Sequence, residues 1–236
     1  MPEAEAFRRR LAGIRSRIEA AARKVDRSPA DVTLVAVSKG QSTERVAWAW
    51  EAGLRVFGEN RVQEAEEKAR ELPAELEWHL IGPLQSNKVR KAVALFHQIH
   101  SVDRPKIALA LDREAGLAGR RLGCFLEVHL GEEETKHGFE AAGLPAAVRP
   151  LADLAHIRWL GLMTIPPPSD DATSARRWFR RLRQLRDELW SQPWWPATTP
   201  GFLSMGMSAD FEEAILEGAT HVRVGTDLFG PRNPAP

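Results

Sequence analysis

The sequence predicts an α/β chain closed into a (β/α)8 TIM barrel, a single domain carrying an extra N-terminal helix. Three observations lead there. Short apolar, β-branched segments alternate with helical ones, the pattern of βαβ units and a parallel sheet. Eight such strand candidates fit into 236 residues, and right-handed crossovers leave an open doubly wound sheet or a closed eightfold barrel as the main outcomes. No Gly-x-Gly-x-x-Gly follows the first strand, which weakens the dinucleotide-binding open sheet and favours the barrel.

The first helix is an apolar stripe of Phe7, Leu11, Ile14, Ile18, Ala22 and Val25 at spacings of three and four, stopped by Asp26-Arg27-Ser28-Pro29. Val32 to Val37 is a strand with the composition of one buried on both faces. Helix 43–52, strand 54–58, helix 60–71, strand 77–81, helix 86–95, strand 98–102, helix 104–118 and strand 122–130 follow. Helix 144–154 and strand 156–163 come next, then a strong helix over 172–190 with Trp178, Leu182, Leu185 and Leu189 on one side. Strand 202–205, helix 209–217 and strand 221–224 complete the alternation. Pro166-Pro167-Pro168 and Pro193-Trp194-Trp195-Pro196 read as loops.

Composition narrows the function. Lys and Arg number 33 against 32 Asp and Glu, a net charge of +1 that argues against broad nonspecific nucleic-acid binding. The one cysteine, Cys124, excludes an internal disulfide framework and any cysteine-based zinc site, and no His, Asp and Glu set has metal spacing. No apolar run approaches the ~18 residues of a transmembrane helix, and the opening MPEAEAFRRR has no signal-peptide core. A reduced cytoplasmic setting is expected.

Barrel active sites sit at the C-terminal ends of the strands, often with a phosphate site after the last two. Lys39 follows the first strand directly. It is either a snorkelling surface lysine or a partly desolvated amine, whose lowered pKa suits Schiff-base chemistry. Ser204-Met205-Gly206-Met207-Ser208-Ala209-Asp210 follows the seventh strand and Gly225-Thr226-Asp227 the eighth. Small residues opening helices are ordinary caps or, as a pair in these two places, a phosphate cup, with Ser208 suited to an N-cap. Arg223 alternates with Val222 and Val224, which points it into the barrel. Buried there, it needs an internal ion pair or a ligand's carboxylate or heterocyclic nitrogen. His79 on a strand reads first as a core histidine. The polar strand ends Glu59-Asn60, Gly82 to Lys88, Asp103-Arg104, Lys136-His137-Gly138 and Thr164-Ile165-Pro166 are each a cap or turn before they are ligand contacts.

Six segments in collinear order carry a resemblance. They are Val35 to Lys39, Phe57 to Glu64, Trp78 to Lys88, Gly161 to Met163, Leu203 to Phe211 and Val222 to Gly230. Over roughly residues 30–231 the chain resembles the pyridoxal phosphate homeostasis proteins, the YggS-like family. That family is related to the N-terminal domain of alanine racemase. The resemblance implies one barrel spanning residues 1–236, with Lys39 holding pyridoxal 5′-phosphate as an internal aldimine. It also implies that Ser208, Gly225 and Thr226 hold the phosphate with the backbone of Met207, and that Arg223 faces the pyridine nitrogen. Asn60, His79, Met163 and Ser204 would lie around the cofactor. Two departures stand out: Gln41 occupies the place of a second lysine found in many relatives, and Gly40 replaces a more usual threonine.

The resemblance implies a carrier that buffers pyridoxal phosphate in vitamin B6 and amino-acid homeostasis, with no catalytic residue. Its partners would be pyridoxal phosphate and apo-enzymes that need it, with neither nucleic acid nor membrane, and a monomer is expected. An amino-acid racemase is the alternative, but a two-base racemase needs a second acid/base opposite the cofactor. The tyrosine that serves in alanine racemase has no counterpart in a chain without tyrosine. A phosphosugar aldolase using Lys39 is the third reading.

Overall fold

Eight parallel strands close on themselves. The structure, a computed structural model, describes residues 2–131, 137–167 and 171–230. Helix α1 (Pro2–Arg23) precedes β1 (Thr33–Val37), α2 (Thr43–Glu51), β2 (Val56–Glu59), α3 (Val62–Ala69), β3 (Glu77–Leu80) and α4 (Val89–Leu95). Then come β4 (Gln98–Val102), α5 (Pro105–Leu117), β5 (Leu122–His129), β6 (Phe139–Glu140), α6 (Leu144–Val148) and β7 (Ile157–Met163). The chain continues through α7 (Ala172–Trp190), β8 (Phe202–Met207), α8 (Phe211–Leu216), β9 (His221–Val224) and α9 (Thr226–Phe229). The ring runs β1-β2-β3-β4-β5-β7-β8-β9, and β9 returns to β1 with Ala36 opposite Val224. This is the barrel the alternation predicts. The two-residue β6 pairs with β5 outside the ring and is too short to leave a sequence pattern.

The helical layer follows from the stripes. Phe7, Leu11, Ile14 and Ile18 of α1 are buried, and α1 packs on α8 and α9. In α7 the buried row is Phe179, Leu182, Leu185 and Leu189. Trp178 lies half-buried at its edge under the Arg177 guanidinium, 4.9 Å from the ring centre. The expected helix 144–154 breaks after Val148 into a 3-10 turn over Arg149–Leu151. Pro150 explains it, lacking a backbone donor and crowding the preceding turn. The helix expected over 86–95 likewise opens with a 3-10 turn, Ser86–Lys88.

The barrel interior is unusual for the fold, where branched apolar side chains normally fill the layers. One patch is Val35, Val37 and Ile81, and the other is Phe125, Leu160 and Met163. Between them stand His79, His100, His221, Ser204 and Arg223, all buried. Strand β8 runs two residues further than expected, through Met207, and its register with β9 shifts between Ser204 and Met207. Such irregularities re-aim side chains beside sites. Gly206 makes this one: its φ is 91°, and a Cβ there would lie 2.6 Å from the Ala214 Cβ.

Candidate functional site

A cavity of about 570 Å³ opens at the C-terminal ends of the strands. Of the ten residues singled out, Lys39, Asn60, Met207, Ser208, Arg223, Gly225 and Thr226 line it. His79, Met163 and Ser204 do not; they are buried beneath it.

Lys39 stands half-buried in the wall, and the backbone on either side of it is tied down. The Ser38 hydroxyl donates to Glu59 Oε1 at 2.6 Å. Lys68 Nζ donates to the Ser38 carbonyl, Glu59 Oε1 and Glu64 Oε1, each at 2.7 Å. The Gly40 amide donates to Glu64 Oε1 at 2.6 Å. Both Lys68 and Glu59 are buried, and a buried charge is tolerated when it is paired and hydrogen-bonded. Burial still raises the Glu59 carboxyl above its ordinary value, against the opposing pull of Lys68. Gly40 has φ 69°, a left-handed conformation that strains a β-branched residue, which accounts for glycine here. Gln41 also lines the cavity, its Oε1 accepting from Arg45 Nη1 at 2.7 Å.

The two small-residue turns meet on the neighbouring strands. Ser208 does not cap α8, as its position had suggested. Its hydroxyl accepts from the Asp227 amide at 3.4 Å, bridging one turn to the other. The Asp210 carboxylate folds back instead onto the Met207 amide at 2.6 Å. The Gly225 backbone crosses close to β1, where a Cβ would sit 3.3 Å from the Val37 Cβ.

Arg223 rises from the barrel interior, as alternation predicts. Nη1 donates to Ser204 Oγ at 2.7 Å and Nη2 to the Thr164 carbonyl at 2.8 Å. Its hydrogen-bond partners are thus neutral oxygens. Burial lowers its pKa to about 10, offset by the fields of Glu127 and Asp210, so it stays charged near neutrality.

Below Arg223 runs a chain of side chains. Ser204 Oγ lies 2.8 Å from His100 Nδ1, and His100 Nε2 lies 3.1 Å from His79 Nδ1. The guanidinium can only donate, so Ser204 accepts from it and keeps one lone pair and one hydrogen, either of which serves the contact with His100 Nδ1. The tautomers of the two rings are linked, and His79 Nε2 at the far end of the row is buried without a hydrogen-bond partner among the described residues, 4.0 Å from Glu77 Oε2. Burial keeps both imidazoles well below their ordinary pKa and hence neutral. Met163 packs in the apolar patch with Phe125 and Leu160, and Ile165, two residues on, reaches the cavity in its place.

Sequence reasoning missed two polar cavity residues on β5, Glu127 and His129. The signal was there: a carboxylate and an imidazole two apart in an otherwise apolar strand face the same way as Phe125. Burial first, then the Asp103 charge, pushes the Glu127 carboxyl up to about 7, with Arg223 pulling the other way. His129 Nε2 is buried with no hydrogen-bond partner among the described residues. Among the other strand ends, Gly82, Pro83, His137 and Ile165 line the cavity, while Asp103 pairs with Arg104 and lies 3.4 Å from His137 Nδ1. Lys136 and Pro168 lie outside the described residues. Among the described residues no helix is long and apolar enough to cross a membrane, and no three His, Cys, Asp or Glu side chains could hold a metal ion.

The family described as alanine racemase, N-terminal domain, matches residues 10–233. The pyridoxal phosphate homeostasis protein of Pseudomonas aeruginosa is 44% identical over 226 residues, covering 94% of each chain. That of Aquifex aeolicus is 42% identical over 224 residues, covering 94% of this chain and 97% of its own. The chain belongs to the pyridoxal phosphate homeostasis protein family. A solved structure is similar throughout: PipY of Synechococcus elongatus with pyridoxal phosphate bound, 42% identical, TM-score 0.84, covering 95% of this chain and 100% of PipY. The relatives are named as homeostasis proteins rather than as enzymes.

Proposed function

We propose that the chain binds pyridoxal 5′-phosphate in this cavity and buffers or delivers it without turning over a substrate. The observation that carries the reading is the convergence of an amine, paired small-residue turns and a buried guanidinium on one cavity. Lys39 supplies the amine for the covalent link. Ser208, Gly225 and Thr226, with the backbone of Met207, hold the phosphate, and Asn60 lies in the wall beside Lys39. His79, Ser204 and Met163 act from beneath, the first two through the chain that ends on Arg223. The reading takes residues 1–236 as one barrel, and the PipY structure with the cofactor bound supports it.

The bound cofactor supplies an aldehyde for the lysine and a ring that withdraws electrons best when its nitrogen is protonated. Arg223 works against that protonation. It donates only, its two other bonds fix its plane, and no carboxylate stands in its place to accept from a protonated ring nitrogen. The arrangement suits holding over carbanion chemistry, and apo-enzymes that require the cofactor are the partners it implies.

A racemase is the second reading, and Glu127 is the observation that favours it. It is a cavity carboxyl titrating near 7, in the range of a general acid/base. Incubation with L-alanine in deuterated water decides between the readings: the carrier leaves the α-proton unexchanged, and a racemase exchanges it at enzymatic rates.

Absorption of the purified protein with added pyridoxal phosphate, followed by borohydride reduction and peptide mapping, tests the site. The expected result is a near-visible band and a label on Lys39, with the Lys39→Ala variant keeping only weak noncovalent binding. A label on another lysine, or no band, overturns it.

A further inference from the structure

The two turns of the phosphate cup belong to different strands, and something must hold them at one spacing. Arg17, on the helix outside the barrel, reaches both helices that follow them. Nη2 donates to Glu212 Oε2 of α8 at 2.8 Å, and Nη1 donates to Asp227 Oδ2 of α9 at 3.1 Å. Its guanidinium also lies over the Phe211 ring, 4.4 Å from the centre, at the first residue of α8. The rest of α1 grips the same place. Arg10 donates to the Leu228 carbonyl at 2.8 Å and the Phe229 carbonyl at 3.3 Å, closing the end of α9. Phe7 packs on Phe229 with ring centres 5.4 Å apart.

We infer that Arg17 is a positioning residue for phosphate recognition: one rigid fork across Glu212 and Asp227 holds the Ser208 turn and the Gly225-Thr226 turn at the spacing a phosphate needs. A guanidinium presents its donors in a fixed plane, so two carboxylates bound to it are held at a set separation. The second consequence is electrostatic. Asp227 adjoins Thr226 and Glu212 lies in the first turn of the helix after Ser208, so both carboxylates add negative charge to the helices that carry the cup. Arg17 neutralises them, and its hydrogen bond holds the Glu212 carboxyl below the usual range while Arg17 itself is raised. The pairs are about two-fifths exposed, so solvent screens them and the effect is moderate.

The inference rests on the proposed phosphate cup, and one titration separates the two. The dissociation constants of pyridoxal 5′-phosphate and of phosphate-free pyridoxal are measured for the full chain and for Arg17→Gln. The expected result is a rise of roughly three- to tenfold for the phosphorylated ligand and none for pyridoxal. Arg17→Lys keeps the charge but not the fork, and is expected to show the same selective loss at smaller size. An Arg17→Gln variant that weakens both ligands alike, or neither, overturns the inference while leaving the cup intact. Wild-type protein that binds pyridoxal as tightly as its phosphate overturns the cup itself.

Discussion

The two walls that meet at β1 and β9 are built from opposite materials. The wall that carries Lys39 is fixed by buried charge: Lys68 joins the Ser38 carbonyl, Glu59 and Glu64, and Glu64 reaches on to the Gly40 amide. The wall that carries the phosphate turns is shaped by small residues, by a register shift at Gly206 and by one serine hydroxyl accepting from a backbone amide, and its ion pairs, Arg17 with Glu212 and Asp227, are half-exposed on the outer helices. The difference follows from what each wall has to present. A lysine amine is a single atom on a flexible stem, so its placement depends on an immobile backbone beneath it. A phosphate cup is made by the backbone itself, so close approach matters more than charge.

The largest break in this comparison is Lys68→Met. It leaves Glu59 buried beside no cation, and urea unfolding should show a loss of about 3–5 kcal/mol. A loss below about 1 kcal/mol, the worth of an ordinary surface pair, would mean that the charged wall is not held by its charges.

Glu127→Gln sharpens the contrast between a paired buried carboxylate and one without a hydrogen-bonded cation. The Glu127 carboxyl is raised in the folded chain from 4.5 to about 7. Between those values the folded state therefore binds the proton that the unfolded state has released. By linkage this contribution is full below about 4.5 and is lost as pH rises to about 7. The Gln variant should gain on the wild type by a margin that grows across that window to about 2–3 kcal/mol. Unfolding curves at pH 5 and pH 8 check the sign, and an equal margin at both would reject it. His221, lowered to about 4 by burial and then by Arg223, titrates in both proteins and cancels in the difference.

The smallest effect is expected at the serine hydroxyl of the phosphate wall. Ser208→Ala removes the acceptor of a single long amide contact and one hydroxyl from the cup. Stability should change by about 0.5–1.5 kcal/mol, and affinity for pyridoxal phosphate should fall by roughly three- to tenfold. Isothermal titration and urea unfolding of the same preparation give both numbers; a stability loss matching that of Lys68→Met would erase the distinction between the walls.

What the chain order reveals and what it hides divide along the same lines. The eight ring strands, Lys39 at the end of β1, the turns after β8 and β9, and the inward Arg223 all follow from local pattern and alternation. His100 is silent in the sequence because its partners are 21 and 104 residues away in the chain, on β3 and β8. Only ring closure brings them together. Ser208 was legible as a small residue before a helix but not as a bridge, because its donor comes from the next turn across. The Lys68 cluster is hidden because a lysine on a Glu-rich helix has the pattern of a solvated i,i+4 pair, and only the fold puts Glu59 behind it.

The histidine chain in the barrel has a consequence for traffic of hydrogen ions. Hydrogen-bonded rows of imidazoles conduct when each member can receive at one nitrogen and release at the other. This row ends on a guanidinium that can release nothing to Ser204 without becoming neutral and can receive nothing from it. The polar core therefore orients Arg223 from below without relaying hydrogen ions through it to the cavity.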